Sequence, residues 1–225
     1  MDAVLSSWFR IYEIDKGGYD EICSLDFDIR SYTGKHLTVF WKSGKSEFGY
    51  DSSLVSSASL KGEIQDDIAR LLERVKFGSD SFLLQFWEAS AKFGGLTVLA
   101  TAGQPFGLGH FCKGLWRYRK RCLGHSYVFN SFGAGEASQL GPPGRVYENG
   151  IPEFCPNIEA YSTDEFPLRD YAINECGIQG YWALPIFSRL NKHLFGGVLE
   201  FVALKCTAGV VQHQVNPVIQ ALNKV

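Results

Sequence analysis

The stretch Gln179-Gly180-Tyr181-Trp182-Ala183-Leu184-Pro185-Ile186-Phe187, a polar loop from Ser188 to His193, and then Gly197-Val198-Leu199-Glu200-Phe201-Val202-Ala203-Leu204 decide the fold class. Both apolar runs are of strand length, rich in aromatic and branched side chains, and bounded by glycine and polar residues, so they read as two strands. Working back toward the amino terminus, Asp164 and Glu165 suit the first turn of a helix expected from an N-cap at Ser162 or Thr163 through Glu175, with Gly177 as its stop. Pro143, Gly144 and Arg145 open a shorter helix, because a proline at a first helical position gives up an N–H that has no partner there.

Further back, strands are expected at Phe82 to Glu88, Leu96 to Thr101 and His125 to Asn130, the first two around a Gly94-Gly95 turn, with a helix from Phe111 to Arg121. Ile64, Ile68, Leu71, Leu72 and Val75 fall on one helical face, and Gly78 ends that element. Val215, Val218, Ile219 and Leu222 mark a last helix. The order α-β-β-α-β-α-α-β-β-α predicts a mixed α/β (α+β) fold, a central, largely antiparallel sheet flanked by helices.

Residues 1–60 read as a small β-rich segment. Leu25 to Arg30 alternates apolar and charged side chains, Leu37, Val39 and Trp41 repeat the alternation, and the Ser/Gly-rich stretch Gly44 to Leu60 reads as a connector. The expected organisation is therefore 1–60 and 61–225.

A chain of 225 residues with a formal net charge of 22 − 24 = −2 can bury a sizeable core, and its charge excludes a surface that is basic throughout. Charges in the first twenty residues argue against a signal peptide. The uncharged run Phe93 to Cys112 is broken by Gly94, Gly95, Gly103, Pro105, Gly107 and Gly109, so it reads as turn and loop and no membrane span is expected. The six cysteines are scattered, which suits free thiols in an intracellular protein.

Catalytic motifs fail on single required positions. Gly44-Lys45-Ser46 lacks the first glycine of a phosphate-binding loop, where Val39 stands, and Gly124-His125-Ser126-Tyr127-Val128 has valine where a nucleophile elbow needs glycine. His110, Cys112, Cys122 and His125 are four metal-ligand types in an order that matches no usual zinc site, so no metal is expected. The basic run Trp116 to Arg121 reads as the solvent face of an amphipathic helix with Trp116 and Tyr118 turned inward.

Several segments recur together in one family: Gln104-Pro105-Phe106, Gly114 to Arg119, Gly141 to Tyr147, Ile151 to Asn157, Tyr161 to Phe166, Arg169 to Ala172, Gly180 to Phe187 and Gly197 to Glu200. From about Ile64 to Val225 the chain resembles the amino-terminal regulatory region of plant NIN-like proteins, the RWP-RK transcription factors. The resemblance implies a GAF-like sensory domain, and because no nucleophile, metal or acid/base set survives among the motifs, no enzyme activity and no cofactor are expected. The resemblance also implies a role in nitrate-responsive transcription in the nucleus and cytoplasm, with partners among other domains of such a factor. DNA would be reached only through an RWP-RK domain, which this sequence lacks, so the chain is expected to be a sensor module or a short relative. The alternative is a ligand-free interaction or autoinhibitory domain of the same family.

Under the resemblance, nitrate or a similar small anion is the candidate ligand. Tyr171 and Ile173 stand where nitrate-sensing members carry His and Leu, and Phe154 stands for a Trp. A phenol donates one neutral hydrogen bond where an imidazolium gives a charge-assisted one. Flat, weakly hydrated nitrate suits aromatic walls with a few donors, so Trp87, Phe154, Tyr171, Ile173 and Trp182 are expected walls and Arg145, Arg169 and Gln179 expected donors.

Overall fold

The computed structural model describes residues 64–68, 70–72, 81–92, 96–109, 112–130, 140–187, 195–206, 215–216 and 218–219, and the backbone of 27–33 and 36–41. Val75, Gly78, the Gly94-Gly95 turn, His110, Phe111, the loop Ser188 to His193, Leu222 and the connector with its boundary near Leu60 lie outside the described residues.

The fold is mixed α/β around one antiparallel sheet. Its strands are β1 (Phe27–Thr33), β2 (His36–Trp41), β3 (Phe82–Lys92), β4 (Leu96–Ala100), β5 (Phe106–Gly109), β6 (Ser126–Asn130), β7 (Glu153–Cys155), β8 (Gly180–Phe187) and β9 (Phe195–Ala203). The main path runs β1-β2-β5-β3-β9-β8-β7, while β4 pairs with the far half of β3 and carries β6 on its other side. β2 meets β5 with Val39 opposite Leu108, so strands from the first sixty residues extend the same sheet.

The two-residue period of the central strands sorts their side chains onto two buried faces. Leu83, Trp87, Val198, Val202, Tyr181 and Ala183 point to one core, and Phe82, Leu84, Phe86, Leu199, Phe201 and Trp182 to the other. Helices supply both covers. The first core is closed by α1 (Lys113–Leu123), α2 (Gly141–Asn149), a 3-10 turn at Ile158–Ala160 and α3 (Arg169–Asn174). The second is closed by helical residues 64–68 and 70–72, through Ile64, Ile68, Leu71 and Leu72, and by Val215 and Val218. Each such side chain contributes about 1.5–3 kcal/mol of transfer free energy, which is why a chain with few charges on β3, β8 and β9 folds this way.

Three local readings are corrected. The helix expected from Ser162 to Glu175 is instead a capped turn followed by the short α3. Ser162 and Glu165 bond reciprocally, with Ser162 N–H to Glu165 Oε2 at 2.8 Å and Glu165 N–H to Ser162 Oγ at 3.2 Å, and Phe166 N–H reaches Ser162 O at 3.0 Å. Pro167 then has no N–H to continue the ladder, and α3 starts only at Arg169. The run expected to be loop holds β5, and the Ile151 to Asn157 motif holds β7 between Pro152 and Pro156. β3 runs on to Lys92, past the expected Glu88, because β4 pairs with its end.

The helix opened by Pro143 forms as α2, with its prolines in the first turn and Gly150 at φ 67 ending it, where Gly150 N–H bonds to Val146 O at 2.9 Å. No described helix is long and apolar enough to cross a membrane.

Candidate functional site

Glu200 is the most buried charge of the described sheet and organises the first core. It lies on β9 directly opposite Gln85 of β3, so both side chains project to the same face, and Trp87, two residues on, joins them. The Glu200 carboxylate accepts from Trp87 Nε1 at 2.7 Å, from Tyr118 Oη at 2.7 Å and from Gln85 Nε2. Burial pushes its pKa up, against the pull of these donors.

Tyr118 comes from α1, whose inner positions Leu115, Tyr118, Arg119 and Cys122 recur at helical spacing. The basic run is therefore not wholly a solvent face. Trp116 and Tyr118 turn inward as expected, but Arg119 is also buried, at 3% exposure. Its guanidinium donates to Gln85 Oε1 at 2.9 Å, to Thr101 O at 3.1 Å, to Gln104 O at 3.3 Å and to Thr101 Oγ1, and lies 4.5 Å from the centre of the Phe106 ring. Burial lowers its pKa to about 10, which leaves it protonated at neutral pH. Gln85 thus links Arg119 to Glu200, accepting from one and donating to the other. This network holds two charges in place; its hydrogen bonds are spent internally, so it fits a fixed scaffold better than a reacting centre.

Arg145, on α2, reaches β7. Its Nη2 lies 2.6 Å from Glu153 Oε1 and its Nε 3.2 Å from Oε2, its Nη1 donates to the Glu165 carbonyl, and Tyr161 Oη donates to the same Glu153 at 2.6 Å. The expected anion donor is thus held by a carboxylate. Arg169 pairs with Asp170 at 2.5 Å and donates to Glu159 O at 3.1 Å. Gln179 is exposed, and its N–H bonds to Ala203 O at 2.9 Å.

The expected walls fall into two groups on opposite faces of the sheet. Trp87 lies in the first core, against which Tyr171 and Ile173 of α3 pack. Trp182 belongs to the second core and carries Phe154 stacked on it, with centroids 4.9 Å apart and Phe154 51% exposed. The five expected walls therefore do not line one pocket. Tyr171 has neighbours the sequence reading did not give it. Arg121 lies over its ring, with the guanidinium carbon 5.8 Å from the centroid, and Arg117 and the Cys176 thiol are close by.

Glu200, Gln85 and Arg119 were legible only as anomalies. A glutamate in Val-Leu-Glu-Phe-Val and a glutamine in Leu-Leu-Gln-Phe-Trp are polar residues inside apolar strands, and buried polar groups require partners. Of the four metal-ligand types, Cys112 caps α1, Cys122 is buried beside Glu200 and His125 packs edge-on to Tyr127 with centroids 4.7 Å apart. Among the described residues no group of three metal-ligating side chains occurs.

No known protein-family profile matches the chain. It is 39% identical over 125 residues to Protein NLP6 of Arabidopsis thaliana, an alignment covering 56% of this chain and 14% of that protein. It is homologous to the NIN-like (NLP) proteins of plants. Protein NLP3 of Oryza sativa subsp. japonica is 38% identical over 124 residues, covering 55% of this chain and 13% of the relative, so the chain corresponds to a small part of these NLP proteins. Among solved structures, a GAF domain aligns over 80% of this chain and 98% of its own length at 14% identity, with a TM-score of 0.36, too low to carry an argument about chemistry.

Proposed function

We propose that this chain is a non-enzymatic regulatory domain of an NLP-type transcription regulator and that its output runs through contacts with other protein domains. One observation supports this reading above the others: Arg145, a donor expected for an anion, has its fork closed by Glu153. A second carboxylate, Glu200, sits at the centre of the interior network, and a carboxylate beside the donors repels an anion. In this role the chain works in the nucleus and cytoplasm and reaches DNA only through an RWP-RK domain.

A second reading, a sensor of nitrate or a similar small anion, is favoured by Tyr171. Arg121 lies over its ring and Arg117 is near, and the two supply positive charge beside a neutral donor. Calorimetric titration of the chain with potassium nitrate, against chloride and phosphate, separates the two. The interaction-domain reading expects no saturable heat from a folded chain. Saturable nitrate-selective heat, weakened by Tyr171→Phe and strengthened by Tyr171→His, overturns it in favour of the sensor. Ligand at about 100 times its dissociation constant would then stabilise the fold by about 2.7 kcal/mol in a parallel thermal series.

A further inference from the structure

Two cysteines stand on elements whose backbones touch. Cys112 is the N-cap of α1, with its Sγ accepting the Leu115 N–H at 3.3 Å. Cys176 follows α3, and its carbonyl oxygen comes so close to Gly114 that a Cβ there would lie 2.2 Å away. The first turn of α1 and the end of α3 are thus in direct main-chain contact. Cys112 is near enough that its charge would raise the Cys176 pKa further, and Arg117 beside Cys176 acts in the opposite sense.

The two are differently exposed: Cys112 is partly open to solvent, whereas Cys176 is buried. The other described thiols are placed otherwise. Cys122 is fully buried near Glu200, Cys155 belongs to the first core on β7, and Cys206 packs against the second core on the far side of the sheet.

We propose that Cys112 and Cys176 form an oxidisable pair, in which Cys112 meets a peroxide and Cys176 resolves it to a disulfide. Cys112 suits the first role because it is the more accessible of the two; burial raises its pKa, and the backbone N–H groups of Leu115 and Gly114 at the positive end of α1 offset part of that cost. Its sulfur attacks the O–O bond of hydrogen peroxide, giving a sulfenic acid, and the departing hydroxide takes the thiol proton and leaves as water. The Cys176 sulfur then attacks the sulfenic sulfur. The S–S bond forms, the S–O bond breaks, and the Cys176 proton leaves with the hydroxide as a second water. In sum two thiols and one peroxide give one disulfide and two waters. Burial pushes the Cys176 thiol up to about 12, and Arg117 offsets part of that cost, so resolution is expected to be the slower step. The bond would clamp α3, which carries Tyr171 and Ile173, onto the start of α1.

The test is a thiol map of the folded chain before and after hydrogen peroxide, whichever reading of function holds. Trypsin releases Cys112 in the peptide 93–113 and Cys176 in the peptide 170–189, each with no other cysteine. The expected result is loss of two of the six thiols with these two peptides joined under non-reducing conditions. Cys112→Ser keeps an N-cap oxygen, and so the fold; it should abolish the cross-link and leave Cys176 open to alkylation after denaturation. A cross-link between other cysteines, or both thiols still alkylatable after peroxide treatment, overturns the proposal. Persistence of Cys176 oxidation in Cys112→Ser removes Cys112 from its role.

Discussion

Arg145 grips Glu153 with two nitrogens, Nη2 to Oε1 at 2.6 Å and Nε to Oε2 at 3.2 Å, and so ties α2 to the last strand of the sheet. Both side chains are 23% exposed, so solvent screens the pair. Glu153→Gln should lower stability by about 1 kcal/mol in urea unfolding, the value of a partly exposed bidentate pair. If Arg145 is the anion donor that the pair suppresses, the same variant should also gain nitrate-dependent heat.

The Glu200 network sets a larger cost. Glu200→Leu leaves Tyr118 Oη, Trp87 Nε1 and Gln85 without their acceptor and Arg119 without a compensating charge, so the expected loss is about 3–5 kcal/mol. Because the native carboxyl holds its proton more tightly than the unfolded one, the native state carries more protons between the ordinary carboxylate value and its raised value. Stability from this group therefore falls as pH rises through that window. Glu200→Gln should flatten the slope there, measured as urea midpoint against pH.

His125 acts with the opposite sign. Burial lowers its pKa below 6.5, with Arg121 adding to the shift, so the unfolded chain binds the proton first. Its contribution is fully present above 6.5 and is lost as pH falls through the lowered value. His125→Phe, which keeps a ring against Tyr127, should remove that acid-side slope in unfolding series run from about pH 7.5 to about 5.

Gly114 tests packing against propensity. Alanine is the better helix former by about 1 kcal/mol, yet a Cβ at this position in α1 would meet the Cys176 carbonyl oxygen at 2.2 Å. Gly114→Ala should therefore destabilise the chain by about 1–3 kcal/mol, while a gain in melting temperature would show that the two turns separate easily.

The sequence by itself determined the fold class, because long apolar runs at β3, β4, β8 and β9 and the amphipathic spacing of α1 are local signals that burial then amplifies. It marked the proline-opened α2 for the same reason. β5 and β7 escaped it: they are four and three residues long, set among glycines and prolines, and form because a neighbouring strand offers its edge. The helix expected through Pro167 does not form as one element, because Pro167 lacks the N–H that would continue the ladder into α3.

For the site, the resemblance to the NIN-like proteins singled out Tyr171, Ile173 and Phe154 but could not say what stands beside them. Whether two residues share a face depends on strand register, which no local pattern encodes. The parity that puts Trp87 toward one core and Trp182 toward the other was fixed only when β3, β9 and β8 paired. Likewise Gln85 and Glu200, 115 positions apart in the chain, meet because of that register, and Arg119 is drawn inside because the pair gives its charge a partner. The tertiary structure decided the polar chemistry of the interior, since the cost of burying a charge depends on which groups surround it.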